Sequence, residues 1–301
     1  MNPLIVPIVE QINKQLLGKE YQIKQALCCL LANGHLLIED APGVGKTTLS
    51  HALAISLGLS YNRIQFTSDM LPADLLGVSI FDNTSGQFVF HRGPIFSQLV
   101  LADEINRTSP KTQSALLEAM AERQISIDGE TYKLSDPFFV IATQNPLDHS
   151  GTYELPDSQL DRFMMRVSLG FPSIDAEKRM LQGHSIGLDN LKQVINPEQL
   201  KELQLGASQV TASDPILNYL LALVQETRVN SKYPHPLSPR ASQAILATAK
   251  AWAFIENRKY VLPEDIQAIL SAVVEHRLRH TNQQGGQSLG EHLLHSVNPL
   301  G

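Results

Sequence analysis

Apolar residues recur along the chain at two spacings, and the change from one to the other divides it. Ile5, Ile8, Val9, Ile12, Leu16 and Leu17 fall at helical intervals up to Gly18, and a second helical stretch runs from Tyr21 to Asn33 before Gly34. His35 to Glu39 is a short continuous apolar run, as expected of a strand buried on both faces of a parallel sheet. Gln98 to Glu104, Phe138 to Thr143 and a last stretch near Met165–Leu169 read the same way. Tyr61 to Thr67 alternates, with Tyr61, Arg63, Gln65 and Thr67 on one face and Asn62, Ile64 and Phe66 on the other. Ser109 as N-cap and Pro110 at the first helical position open a helix that runs to about Glu122. Two hairpins are predicted, at about 78–91 around Asp82-Asn83-Thr84-Ser85-Gly86 and at 124–135 around the two-residue turn Asp128-Gly129. From about Phe171 strand patterns stop. Helical patterns then occupy 174–184, 197–205, 214–230, 239–257 and 263–279, with starts at Ser213, Ser238 and Leu262-Pro263. The tail from His280 is polar and Gly-rich and is expected to be partly loose, with Leu289 to Val297 still able to pack. The pattern predicts an α/β domain over 1–171 and an all-helical domain over 172–301.

Bulk composition narrows this picture only modestly. At 301 residues and 43% hydrophobic, the chain has the length and apolar content for two domain cores. A formal net charge of −6 disfavours a broad basic surface for nucleic acid, though not a local basic pore. Cys28 and Cys29 are adjacent in an apolar helical run and are expected to be small buried residues, neither disulfide nor metal ligands. The start has no basic segment of a signal peptide, and no apolar run reaches the roughly 18 residues of a membrane helix. A cytoplasmic location is the expectation.

The candidate chemistry begins where the first strand ends. Asp40-Ala41-Pro42-Gly43-Val44-Gly45-Lys46-Thr47-Thr48 joins strand to helix through a Gly-bearing loop, which is the context of a phosphate-binding loop. Such a turn aims backbone N–H groups at a polyphosphate at the positive end of the next helix. Lys46 would reach the β- and γ-phosphates and the Thr47 hydroxyl would ligate Mg²⁺. The motif asks for Gly at position 40, where this chain has Asp40. Asp103-Glu104 end an apolar strand, so Asp103 would hold Mg²⁺ and Glu104 would orient the attacking water. Asn145 ends the next strand, where an amide would meet the γ-phosphate or the water; as a residue before Pro146 it is also a common turn former. Arg162 is either a paired surface residue or a cation that completes a neighbouring chain's site. Arg240, in Ser238-Pro239-Arg240, opposes the helix dipole at a helix start, which hints at a facing anion.

Taken together, these stretches resemble the MoxR branch of the AAA+ ATPases over about residues 4–280. The resemblance is carried by Leu37 to Thr47, Gly93-Pro94-Ile95-Phe96, Leu101 to Arg107, Gln113 to Met120, Ala142 to Pro146, Leu155 to Phe163 and Ser238-Pro239-Arg240. It implies a P-loop three-layer α/β domain with a parallel sheet, followed by a helical lid. In that reading Lys46 and Thr47 belong to Walker A, Asp103 and Glu104 to Walker B, and Asn145 is sensor 1. Arg162 is an arginine finger acting on the neighbouring subunit, and Arg240 is the sensor 2 arginine of a lid that covers ATP. The hairpins are the helix-2 insert and the pre-sensor 1 insert. The resemblance also implies Mg²⁺ with ATP, a ring that is commonly a hexamer, and chaperone-like remodelling with a von Willebrand factor A domain partner. Nothing in the sequence names the protein client. Two alternatives stay open: a nucleic-acid motor or loader, disfavoured by hairpin tips without Lys or Arg, and a metal-chelatase motor subunit.

Overall fold

The computed structural model describes residues 1–146, 151–183, 190–278 and 288–298. The expected loose segment after His280 falls on 280–287 and lies outside the described residues. In chain order the elements are α1 (Val6–Asn13), α2 (Glu20–Leu31), β1 (Leu36–Glu39), α3 (Lys46–Ser56), β2 (Tyr61–Gln65), α4 (Pro72–Leu76), β3 (Gly77–Asp82) and β4 (Gln87–Arg92). There follow β5 (Leu99–Asp103), α5 (Pro110–Glu122), β6 (Gln124–Ile127), β7 (Glu130–Lys133), β8 (Phe139–Gln144), α6 (Asp157–Leu160) and β9 (Met165–Val167). The remainder is helical: α7 (Ile174–Leu181), α8 (Pro197–Ser208), α9 (Asp214–Val229), α10 (Pro239–Ile255), α11 (Pro263–Leu278) and α12 (Leu289–Ser296).

Five strands form one parallel sheet in the order β2-β5-β8-β1-β9. Their side chains alternate between faces, so each strand feeds two cores. Leu36 and Ile38 enter a core shared with α1, α2, α3 and the C-terminal helices, while Leu37 enters one shared with α4 and α5. This is the three-layer α/β arrangement. The helical region does not stand apart from it: α10 and α8 pack on α2, and α11 packs on β9 and α6.

Several predicted ends move for identifiable reasons. The first helix stops at Asn13, not Leu17, because the chain tightens into a turn in which Leu16 and Leu17 are both buried before Gly18 at φ 75°. The last strand stops at Val167, not Leu169, because the N–H groups of Leu169 and Gly170 turn to the Asp40 carboxylate. The Ser109 N-cap is as expected, with its hydroxyl accepting from Thr112 N. The Asp128-Gly129 turn has both residues at positive φ (53° and 82°), which matches the twist of a two-residue hairpin. Cys28 and Cys29 are buried.

The two hairpins touch. Phe90 stacks on Tyr132 at 4.3 Å between ring centres, and Ser79 Oγ donates to Asp128 Oδ2 at 2.6 Å. Val78, Ile80, Phe81, Phe88 and Val89 on the first hairpin remain exposed.

Candidate active site

The loop after β1 is shaped by two glycines with left-handed backbone: Gly43 at φ 82° and Gly45 at φ 102°. A side chain at Gly45 would strike Leu16 Cδ2 at 2.5 Å, whereas the space before Gly43 is open. The turn delivers Lys46 as the first residue of α3, where unpaired N–H groups and the helix dipole both favour an anion. Lys46 Nζ donates to the carbonyls of Asp40 (2.6 Å) and Ala41 (3.1 Å), which folds its stem back over the loop. Burial lowers the Lys46 pKa, and the carboxylates of Asp40, Asp103 and Glu104 oppose that shift. Three acids are therefore close enough to act on one ammonium group.

The Asp40 side chain ties the loop to the end of β9. Its carboxylate is buried and accepts from Ser168 Oγ at 2.9 Å, from Leu169 N, and from Gly170 N at 3.3 Å. The departure from the P-loop pattern thus serves as a strap between the loop and the end of β9.

Asp103 and Glu104 are adjacent, so an unbroken strand would point them to opposite faces. Glu104 instead adopts a left-handed backbone, φ 57° and ψ 49°, which breaks the alternation at the strand's C-terminal end. Thr143 Oγ1 on β8 stabilises this corner, accepting from Glu104 N at 2.9 Å and donating to Asp103 Oδ1 at 2.6 Å. The edge strand β2 supplies the other partners. Arg63 binds Asp103 Oδ2 through Nη2 at 2.6 Å and Nε at 3.1 Å, and Gln65 Nε2 donates to Glu104 Oε2 at 2.9 Å. Arg107 Nε lies 2.7 Å from the same Glu104 oxygen. Asn145 follows β8 directly and is buried. Lys46, Asp103, Glu104 and Asn145 thus all lie at or beyond the C-terminal ends of adjacent strands, where parallel α/β sheets bind ligands. The Thr47 hydroxyl and the Asp103 carboxylate are hard oxygen donors, a set that fits Mg²⁺.

Arg162 and Arg240 are not in that group. Arg162 precedes β9, and β9 runs parallel to β1 with Leu36 opposite Met165. Arg162 therefore sits at the N-terminal end of the sheet, with roughly 13 Å of strand between its level and the start of the phosphate loop. Its Nη1 donates to Leu117 O of α5 at 2.7 Å. Arg240 Nη1 lies 3.8 Å from Asp161 Oδ2, beside Arg162, and its side chain is 62% exposed. The expected position of Arg240, on a lid over its own chain's nucleotide, differs from this one. α10 runs back along α2, so its first turn reaches the end of the sheet away from Lys46.

Comparison with known proteins agrees with this geometry. Residues 35–165 match the ATPase family associated with various cellular activities (AAA), and 225–294 match the AAA lid domain. Chaperone MoxR1 of Mycobacterium tuberculosis is 36% identical over 277 residues, covering 89% of this chain and 74% of that one. The chain belongs to the MoxR family of AAA ATPases. Protein MoxR of Paracoccus denitrificans is 30% identical, covering 89% of this chain and 86% of that protein. The uncharacterized protein YeaC of Bacillus subtilis is 46% identical, with 92% and 88% covered. A crystal structure of an ATPase candidate from Cytophaga hutchinsonii superposes with a TM-score of 0.87 at 35% identity, covering 98% of this chain and 94% of that one. This MoxR-family protein is an ATPase with an AAA domain and a helical lid domain. No helix among the described residues is long and apolar enough to cross a membrane.

Sequence reasoning missed Arg63, Gln65, Arg107 and Thr143. For the first two a signal existed: the polar face of the alternating strand at 61–67 carries both. Arg107 and Thr143 lie inside the stretches that carry the resemblance, but nothing in the residue pattern there signals the ion pair of Arg107 with Glu104 or the hydrogen bonds of Thr143 to Glu104 and Asp103.

Proposed function

We propose that this chain hydrolyses ATP at a site shared between adjacent copies in a ring, and that the cycle drives remodelling or maturation of protein complexes in the cytoplasm. The observation that carries the reading is the separation of the site into two groups. Lys46, Thr47, Asp103, Glu104 and Asn145 gather at one end of the sheet, and Arg162 and Arg240 stand at the other. A cation there serves its own chain's γ-phosphate poorly and a neighbour's well.

In this reading the backbone from Ala41 to Thr48 and the Lys46 ammonium bind and orient the polyphosphate. Mg²⁺, held by Thr47 and Asp103, supplies charge neutralisation when bound. Glu104 orients the attacking water and takes up its proton, and Asn145 donates to the γ-phosphate or to that water. Arg162 of the next copy stabilises the charge spread over the transferring phosphoryl group, and Arg240 joins it from the same side. The nucleotide-binding unit is assigned to 1–171 and the lid to 172–301.

A protein client is favoured over nucleic acid by the hairpins. The first presents exposed Phe81 and Phe88, and its tip carries Asp82 with no basic side chain. Phosphate binding would call for the opposite charge. A von Willebrand factor A domain protein is the partner proposed for the ring.

The test is affinity capture with Glu104→Gln and Lys46→Ala proteins, with and without ATP. Glu104→Gln should bind ATP, hydrolyse it at least about 100-fold more slowly, and retain a von Willebrand factor A domain partner in an ATP-dependent manner. Lys46→Ala should retain none. ATP-independent capture by both, or DNA-stimulated turnover of the unmodified chain, would contradict the reading.

A further inference from the structure

Arg277, near the end of α11, is a long cation sunk into the protein, with 5% of its side chain exposed. Burial lowers its pKa, and its contact with Asp161 offsets part of that shift. Its Nε donates to Asp161 Oδ1 at 2.6 Å. Nη2 donates to Phe163 O at 2.8 Å and Asp161 O at 3.3 Å, and Nη1 donates to Met164 O at 3.1 Å and to Val273 O within its own helix. The neighbouring His276 adds Nε2 to Phe163 O at 3.1 Å. All three guanidinium nitrogens of Arg277 are engaged, and the partners on residues 161, 163 and 164 bracket Arg162 on both sides.

Packing alone does not account for this. Burying an arginine is unfavourable until its hydrogen bonds compensate, and an apolar side chain of similar length would fill the same space. What the arginine adds is geometry. Its planar fork fixes several acceptors at once, and lysine cannot copy that. Asp161 also faces Arg240 with its second oxygen, so helices α10 and α11 both reach the residue just before Arg162.

We propose that Arg277 is a positioning residue for ATP hydrolysis: it fixes the backbone from Asp161 to Met164 so that Arg162 is presented correctly to the neighbouring copy. Asp161 is the shared anchor, held permanently by Arg277 and reversibly by the exposed Arg240. The inference rests on the trans role of Arg162 proposed above. Misplacing a transition-state contact by about 1 Å costs on the order of 100-fold in rate.

The experiment measures ATP turnover and fluorescent-ATP affinity of Arg277→Lys, alone and mixed with Glu104→Gln, with Arg162→Ala treated identically. Arg277→Lys should bind nucleotide with unchanged affinity and lose about 100-fold in kcat with little change in KM. In mixtures, Glu104→Gln copies lend an intact Arg162 to the intact site of Arg277→Lys copies, so turnover should exceed the sum of the separate proteins. A purely structural role would leave Arg277→Lys copies inactive beside any neighbour. Rescue of Arg162→Ala without rescue of Arg277→Lys overturns this inference and leaves the trans role of Arg162 standing. Rescue of neither overturns both. Parental turnover by Arg277→Lys alone also overturns it. If Arg277→Lys fails to fold, Asp161→Asn keeps the shape, removes the charge and should give the same pattern.

Discussion

Asp40 invites the substitution that the P-loop pattern would recommend, Asp40→Gly, and the structure predicts that it does harm. The carboxylate accepts from Ser168 Oγ at 2.9 Å and from Leu169 N, with a longer contact to Gly170 N at 3.3 Å. Hydrogen bonds to a charged group contribute about 1.5–3 kcal/mol each, so the two shorter ones amount to roughly 3–6 kcal/mol gross. Removing the buried carboxylate recovers part of that through relief of desolvation. Glycine then adds about 0.5–1 kcal/mol of backbone entropy. Asp40 is not among the residues at positive φ, so glycine gains no conformational relief there. The net expectation is a loss of about 3 kcal/mol, or roughly 5–10 °C in Tm for a chain of this size. Thermal unfolding followed by dye fluorescence and by circular dichroism measures it, beside nucleotide affinity. Asp40→Asn, which keeps one acceptor, should fall between parent and glycine variant. A glycine variant as stable as the parent, or one that binds nucleotide more tightly, would refute the assignment of Asp40 as a strap.

Two further outcomes follow from the structure. His35 is buried, accepts from Val140 N through Nδ1 at 3.0 Å, contacts Met120 O through Nε2, and has its pKa lowered by burial from 6.5 to about 4. Its neutral form is the folded form, so its contribution to stability is fully present well above pH 6.5 and is lost as pH falls toward 4, with a limiting slope of about 1.4 kcal/mol per pH unit between the two values. Burial of His276 lowers its pKa too and adds loss of the same sign. Urea midpoints between pH 7 and 5 should show this slope, and His35→Gln should reduce it. Lys46→Ala should abolish nucleotide binding while leaving Tm without nucleotide within a few degrees, because its two hydrogen bonds go to loop carbonyls at a part-buried site. Isothermal titration checks the first and thermal unfolding the second.

Much of this arrangement is legible in the sequence. The run from Leu36 to Thr48 announces strand, loop and helix in order, because glycine spacing and apolar runs are local properties. The same holds for Ser109-Pro110 and for the Asp128-Gly129 turn. What was not legible is non-local. Thr143 becomes a support for Asp103 and Glu104 only because β8 lies beside β5, and no spacing along the chain encodes that adjacency. Arg277 reads as an ordinary basic residue near a helix end, yet it is buried against a segment more than a hundred positions earlier. The start of a helix at Ser238-Pro239-Arg240 signals a facing anion, and that anion is Asp161 of the same chain. The location of Arg240 depends on which way α10 runs along α2, and a helical pattern carries no direction.

In the proposed arrangement one chain does not hold a complete site. This is tested by ATP turnover per subunit across a dilution series, with light scattering reporting the assembly state at each concentration. Turnover per subunit should fall in step with dissociation, and Arg162→Ala should show low turnover at every concentration while still assembling. A monomer that hydrolyses ATP at the assembled rate would contradict it.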